Sequence, residues 1–284
     1  MAANMKAVKL RIKSIQNTMQ ITKAMELVAS SKLRRAKERA DRCRPYFETL
    51  GGTLREISRE NADFSSLYTK ENAENRWCFV VISGDRGMAG GYNANLFRYL
   101  EEQASGKEIR ILPIGKKSVE YGRHRGIDFV TECYAVAAEV SISDCYEIAE
   151  LLCQLYREKQ FGHIALCYTE FLSMMNQKPE VSSLLPLSDF STEKRSGEFR
   201  NLILYEPSAE EVFDAIVPEY LTGLLYSAVC ESVASELAAR RTAMEAATDN
   251  AGEMIDKLSL NYNRARQASI TQEITEIVAG AEEL

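Results

Sequence analysis

The chain has 284 residues, of which 45% are hydrophobic and 27% charged, so its composition excludes a largely disordered protein. Its net charge of −6 excludes a uniformly basic nucleic-acid binder, and its seven scattered cysteines form no CxxC pair, which indicates reduced thiols in the cytosol. No segment resembles a secretory signal or approaches the roughly 18 apolar residues of a membrane span, so the chain is expected to be soluble.

The N-terminal segment, residues 1–59, is predicted to form one long helix of a coiled coil. Only Pro45 interrupts it before Gly51. Its first 44 residues carry twelve basic and three acidic side chains, and this charge of +9 favours a solvated face, or a surface for acidic protein or nucleic acid. Small or apolar residues recur in steps of three and four, the spacing of a coiled-coil seam. They are Val8, Ile12, Ile15, Met19, Thr22, Met25, Ala29, Leu33, Ala36 and Ala40.

Residues 76–207 are predicted to form an α/β domain, after a polar connector at residues 60–75. Strands alternate with helices, so the sheet should be largely parallel. Strands are expected at residues 76–83, 108–114, 127–130, 161–170, 181–187 and 201–205. Helices are expected at residues 94–102, 116–123 and 141–159.

A glycine-rich loop, SGDRGMAGGYN, connects the first predicted strand to the first predicted helix of this domain. Strand, glycine loop and helix are the setting of a phosphate-binding turn. The spacing, however, is neither GxGxxG nor GxxxxGK[ST]. Glycines that let the backbone turn and pack closely explain the loop more simply, so it is predicted to be structural. Its residues are Gly84, Asp85, Arg86, Gly87, Gly90, Gly91 and Asn93.

Residues 208–284 are predicted to form a second long helix. Ser208 offers an N-cap, Glu211 is placed to complete a capping box, and Pro218 is a candidate kink. A single helix after Pro218 would be roughly 100 Å long. Its seam is predicted at Leu221, Leu225, Ala228, Ser232, Ser235, Ala239, Thr242, Ala247, Ala251, Met254, Leu258, Tyr262 and Ala265.

The two long helices flank the α/β domain in sequence, so the simplest topology pairs them antiparallel. Beyond about Ala265 the partner helix would need residues before Met1, so the C-terminal tip should project alone. An apolar stripe on an unpaired helix predicts a socket in another protein. The stripe consists of Ile270, Ile274, Ile277 and Val278.

The residues show no catalytic constellation. His124 and His163 lie in different predicted elements, and HExxH, GxSxG and a Walker lysine are absent. The chain is therefore expected to have no catalytic residues, and His163 is expected to be a packing or surface residue.

Three blocks of the sequence resemble the gamma subunit of the F-type ATP synthase, and the resemblance covers essentially the whole chain. They are IKSIQNTMQITKAMELVASSKLRRA at residues 12–36, SGDRGMAGGYN at residues 83–93, and the ungapped stretch at residues 231–284. The resemblance implies a rotor shaft, an antiparallel coiled coil of the terminal helices with an inserted Rossmann-like α/β domain.

The resemblance also implies partners and a location. The shaft would turn inside a ring of α and β subunits, which bind ATP, ADP and Mg, so the chain itself would hold no cofactor and no metal. Its foot would rest on the c-subunit ring beside the epsilon subunit, at the cytoplasmic face of the plasma membrane. The chain would associate with the membrane only through the complex. It would bind no nucleic acid.

Matching motifs imply particular contact residues. Glu206 in the sequence LYEP is implied to lie near the c ring. The residues implied to contact β subunits are Lys23, Met25, Lys32, Arg34, Arg35, Arg266, Gln267, Thr271 and Glu273.

Two other functions remain open from the residues. One is a coiled-coil scaffold whose basic N-terminal arm binds nucleic acid, with an affinity that falls steeply with salt. The other is a nucleotide-binding enzyme that uses the glycine-rich loop, although it lacks a phosphate-binding lysine. Neither explains the three blocks together.

Overall fold

The computed structural model describes residues 2–60, 64–131, 135–190 and 203–282. It divides into two compact units, residues 1–31 with 240–284, and residues 32–239. Two long helices, α1 (Ala2–Glu60) and α5 (Ala209–Glu282), contribute to both units. The long terminal helices predicted from composition and periodicity are therefore confirmed.

The larger unit is built around a mixed four-stranded sheet with the order β2-β1-β3-β4. Its strands are β1 (Arg76–Ile82), β2 (Glu108–Ile114), β3 (His163–Phe171) and β4 (Gln177–Leu185). β1 is parallel to both β2 and β3, with Val80 opposite Leu112 and Leu166, whereas β4 is antiparallel to β3. The largely parallel sheet predicted from the alternating elements is confirmed.

Helices cover both faces of this sheet. They are α2 (Tyr92–Ala104), α3 (Lys116–Arg125) and α4 (Ile142–Arg157), together with parts of α1 and α5. Successive residues of β1 face opposite cores, as the pleat requires. Val80 belongs to the core that includes Leu152 of α4 and Leu221 of α5, whereas Phe79 belongs to the core that includes Leu96 of α2. This is the Rossmann-like arrangement expected.

Within the larger unit, α1 and α5 run antiparallel. A Cβ on Gly223 of α5 would lie 2.0 Å from Phe47 Cδ1, and a Cβ on Gly51 of α1 would lie 3.0 Å from Tyr220 Cε2. Residue numbers therefore increase along α1 as the numbers of the residues they contact on α5 decrease. α5 continues as helix through Pro218.

The smaller unit pairs the beginning of α1 with the end of α5 through small side chains. The hydroxyls of Thr22 and Thr248 share a hydrogen bond of 2.7 Å. Ala29, Met244 and Ala251 are buried. Small residues let two helices approach closely, so the predicted small-residue seam is visible in this contact.

The predicted seam positions agree with the observed burial along α1, but they differ from it near the end of α5. Every predicted seam position of α1 is buried or half-buried. On α5, Met254 is 54% exposed and Ala265 is exposed, contrary to prediction, while Ile255 and Leu258 are half-buried. From Met244 onward the residues that face inward are spaced by four and three in alternation. The series runs through Thr248 and Ala251 to Ile255, and it passes over Met254.

Two predicted strands were wrong. Residues 127–130 form a single bridge, Phe129 with Ile111, in which Val130 N donates to Ile111 O at 2.9 Å. One bridge beside the edge strand β2 is too short to form a strand. Residues 203–205 have no strand geometry, and residues 201–202 and 191–200 lie outside the described residues. The predicted strand at residues 181–187 is real but starts earlier, at Gln177.

α5 also corrects the expectation about membrane spans. By length and composition it contains one window apolar enough to cross a membrane. Half of that window is buried inside the structure. Apolar residues of α5 such as Leu221 and Leu225 belong to the core of the larger unit, so a core helix accounts for this composition.

Candidate functional site

The basic residues of α1 that the sequence singled out lie on the helix surface. Lys23, Lys32, Arg34 and Arg35 are exposed, and Met25 is half-buried. Arg34 Nε lies 3.8 Å from Glu38 Oε1, and both side chains are more than half exposed. An ion pair this exposed contributes little energy, so the guanidinium can exchange it for an acidic partner at small cost.

A second group of predicted contact residues lies near the end of α5. Arg266, Gln267, Thr271 and Glu273 are all exposed. Thr271 Oγ1 donates to Gln267 O at 2.9 Å, a bond within the helix. These side chains therefore face outward from a continuous helix.

The structure does not bring these two groups together. Lys23 adjoins Thr22, which is bonded to Thr248. Arg266 lies eighteen residues beyond Thr248 on the same helix, which corresponds to about 27 Å along the axis. Lys23, Met25 and the four residues of α5 lie in the smaller unit, whereas Lys32, Arg34 and Arg35 lie in the larger unit.

The apolar stripe of α5, which begins at Ile270 within the second group, is uncovered, as predicted. Its four residues are between 47% and 71% exposed: Ile270, Ile274, Ile277 and Val278. They follow one another in steps of four, three and one, so they occupy one side of the helix. An exposed apolar stripe of this kind marks an interaction surface.

Glu206 precedes α5 in the larger unit and is exposed. Two residues later, Ser208 Oγ accepts a hydrogen bond from Glu211 N at 3.1 Å, which is the N-cap contact predicted. The carboxylate of Glu206 therefore lies at the surface, just before a capped helix.

The glycine-rich loop is held by polar contacts to its neighbours. Gly84 N donates to Asn93 Oδ1, and Asp85 Oδ1 accepts from Lys116 N at the start of α3, both at 3.0 Å. A carboxylate that binds a free N–H group at a helix N-terminus is favoured by the helix dipole. These groups are engaged within the protein, which favours a structural role for the loop.

The turn after β2 packs against the same loop. Gly115 has a φ of 91°, and a Cβ there would lie 2.1 Å from Ser83 O. Ser83 Oγ accepts from Ser118 N at 2.7 Å. In the loop itself, Met88 has a φ of 63° and is 61% exposed. Close backbone approach explains the requirement for glycine at position 115.

Three polar residues of α5 were missed as functional candidates. Ser232 and Ser235 were assigned to the helix seam, but their hydroxyls bond to β3: Thr169 N donates to Ser232 Oγ, and Ser235 Oγ donates to Thr169 O. Glu236, which follows, is also buried. The signal that could have found them is a run of polar side chains on the buried face of a helix.

Among the described residues, no group of three or more His, Cys, Asp or Glu could hold a metal ion. His163 stacks on Trp77 with ring centroids 4.3 Å apart, so it acts as a packing residue.

Comparison with known proteins gives a consistent result along the whole chain. A family model described as ATP synthase matches residues 4–284. The ATP synthase gamma chain of Ruminococcus albus is 48% identical over 280 residues, covering 97% of this chain and 96% of the relative. That of Alkaliphilus metalliredigens is 43% identical over 288 residues, covering 100% of both. The sodium ion specific ATP synthase gamma chain of Acetobacterium woodii is 37% identical over 301 residues, covering 100% of both.

Solved structures share the fold. A chain from the central stalk and c ring of Tetrahymena thermophila mitochondrial ATP synthase has a TM-score of 0.64 and 23% identity, covering 80% of this chain and 99% of that one. A chain from Euglena gracilis mitochondrial ATP synthase, in rotational state 3, has a TM-score of 0.65 and 18% identity, covering 98% and 94%. At these identities the likeness establishes the fold alone.

Proposed function

The chain belongs to the family of ATP synthase gamma chains, and from this premise we propose that it is the central rotor shaft of an F-type ATP synthase. The observation that carries the proposal is the match of the family model along residues 4–284. The paired long helices and the uncovered tip of α5 support it, because a shaft must extend beyond its own folded domain to reach a partner.

As a shaft, the chain would act on the catalytic sites indirectly. Ion flow would turn it inside the ring of α and β subunits, which hold ATP, ADP and Mg. It would contact the three β subunits unequally, since equal interaction with every conformation shifts no equilibrium. Each β subunit would then pass through states of different nucleotide affinity, and the chain would supply no catalytic residue.

The exposed side chains fit two zones of contact with the β subunits. The first is basic and would face acidic loops of β, to which exposed cations are attracted over several ångströms. It comprises Lys23, Met25, Lys32, Arg34 and Arg35. The second comprises Arg266, Gln267, Thr271 and Glu273, and the apolar stripe that begins at Ile270 would occupy an apolar socket of the ring.

The α/β domain would form the foot of the rotor. Glu206, exposed before α5, would lie at the c-subunit ring, with the epsilon subunit beside the domain. As a gamma chain, the protein is part of a membrane-associated complex. We infer that it lies at the cytoplasmic face of the plasma membrane and touches the membrane only through that complex.

Replacing Arg34 and Arg35 with alanine tests the basic zone. Both side chains are exposed, so the fold of the chain should be unaffected, while ATP-driven ion pumping by the assembled complex should fall several-fold. Pumping and ATP hydrolysis are measured on vesicles that carry the complex. A matched control, R98A/R123A, removes two exposed arginines from α2 and α3 and should pump normally. Normal pumping by R34A/R35A would contradict the role of this zone.

A further inference from the structure

One face of α5 carries three buried polar residues that the rotor role, as described above, does not use. Ser235 and Glu236 lie three and four positions after Ser232, so the three side chains share one side of the helix. They are 1%, 0% and 7% exposed. Buried polar groups require partners, and an apolar residue at each position would serve simple packing better.

The main chain of β3 supplies partners for the two serines. Thr169 N donates to Ser232 Oγ at 3.1 Å, and Ser235 Oγ donates to Thr169 O at 3.1 Å. β1 pairs with β3 only as far as Cys167, so Thr169 lies just beyond the end of that pairing. Two hydroxyls of α5 thereby form hydrogen bonds with main-chain groups of β3 that β1 does not reach.

Glu236 lies beside Gly84 of the glycine-rich loop, two residues after the end of β1. A Cβ on Gly84 would lie 2.7 Å from Glu236 Oε1 and 3.3 Å from Asn93 Oδ1, so the carboxylate occupies the space that a side chain would need. Tyr92, the first residue of α2, is buried beside it. Burial, with the charge of Glu236, raises the pKa of the Tyr92 phenol.

We propose that Ser232, Ser235 and Glu236 form a polar joint that fixes the rotation of α5 about its own axis relative to the sheet. This proposal rests on the proposed function, because it assigns the joint to the transmission of torque between the α/β domain and the shaft. The joint bonds to the main chain of β3 at Thr169 and lies beside Gly84, two residues after the end of β1. It is therefore a set of positioning residues for the coupling of rotation to ion movement.

Directionality is the physical reason that polar contacts suit this task. Apolar contacts such as those of Leu221 and Leu225 depend on buried area and have no preferred direction, so a small rotation of the helix costs them little. Hydrogen bonds weaken steeply when the donor angle falls below about 120°. Two bonds from one helix to the N–H and C=O of a single residue, Thr169, define one rotational setting.

The double variant S232A/S235A, assembled in the complete ATP synthase complex, tests the joint. ATP hydrolysis and ATP-driven ion pumping are measured on the same vesicles. We expect the number of ions pumped per ATP hydrolysed to fall at least threefold while hydrolysis stays within twofold of the wild-type rate. The matched control is S227A, a half-buried serine of α5 outside the joint, which should keep the wild-type ratio.

An unchanged ratio in a complex that contains a full amount of the double variant overturns the joint. If the double variant does not assemble, the single variants S232A and S235A each remove one bond and should each lower the ratio by a smaller factor. Wild-type ratios in both would also overturn it. Complexes that lack this chain and still pump as well as the wild-type complex would instead reject the rotor function, a result independent of the joint.

Discussion

At the scale of the residue, burial controls the chemistry of the thiols. Six cysteines are described and free, and Cys133 lies outside the described residues. Cys78 of β1 and Cys167 of β3 are buried, and burial raises the pKa of each thiol to about 12. Cys43 of α1 is only half-buried. Since the thiolate is the reactive form, the buried pair should be inert in the folded protein.

We expect iodoacetamide at pH 8 to label Cys43 at least tenfold faster than Cys78 or Cys167 in the native chain. Both the low thiolate fraction and the lack of access slow the two buried thiols. Peptide mass spectrometry after timed quenching measures each rate. In urea the three rates should converge, which provides the control. Comparable native rates at all three sites would show that the sheet opens far more readily than its packing indicates.

At the scale of the element, the same substitution should have opposite effects at two glycines of α5. Alanine is favoured over glycine in a helix interior by up to about 1 kcal/mol. Gly252 has open space around it, so only this preference acts there. At Gly223, a Cβ would come within 2.0 Å of Phe47 Cδ1 and 2.8 Å of Phe47 Cβ, so α1 or α5 would have to shift.

Gly252→Ala is therefore expected to raise the free energy of unfolding by up to about 1 kcal/mol, and Gly223→Ala to lower it by roughly 1–3 kcal/mol. Urea unfolding of the purified chain, followed by circular dichroism, measures both. The two variants serve as controls for each other, since they share the helix and the chemical change. Stabilisation by Gly223→Ala would mean that the helices are not in close contact at Phe47.

The elements show which parts of the fold a sequence can specify. Long periodic segments such as α1, and apolar runs such as β2, were located within a few residues because each carries its own signal. Residues 127–130 carry too few positions to distinguish a strand from a bridge. Met254 and Ile255 are adjacent apolar residues, and only contact with the partner helix decides which of them faces inward.

The candidate site was predictable to a smaller degree. The apolar stripe that contains Ile270 and Ile274 is recognisable in the sequence from its helical spacing. Ser232 and Ser235 could be recognised as polar residues on a buried helix face, but their bonding partner could not be predicted, because small residues on a helix seam serve helix pairing and bonding to a strand equally well. Their partner, Thr169, lies more than sixty positions away in the sequence, and no local pattern connects them.

At the scale of the whole molecule, the uncovered stripe of α5 matters because it is apolar surface that assembly would remove from water. Burying an isoleucine side chain contributes about 1.5–3 kcal/mol. Replacing such residues should therefore weaken assembly and leave the chain itself folded.

The variant I270S/I274S is expected to fold with near-normal stability, yet to bind a mixture of α and β subunits at least tenfold more weakly. Titration of the subunits against labelled chain measures the affinity. Its control, L67S/I142S, replaces two apolar residues of the larger unit that are 41% and 46% exposed. Equal affinities for wild type and I270S/I274S would exclude the tip as a binding surface.

The hydrogen bond between Thr22 and Thr248 has a consequence for how the protein is made. The two residues are 226 positions apart, so Thr248 is synthesised long after Thr22. At the usual pace of a ribosome, about 5–20 residues per second, the gap between them lasts roughly 11 to 45 s. During that time the α/β domain can fold as it emerges from the ribosome, while the apolar seam of the first helix has no partner helix to pack against. Chaperone demand during translation should therefore concentrate on the first thirty residues.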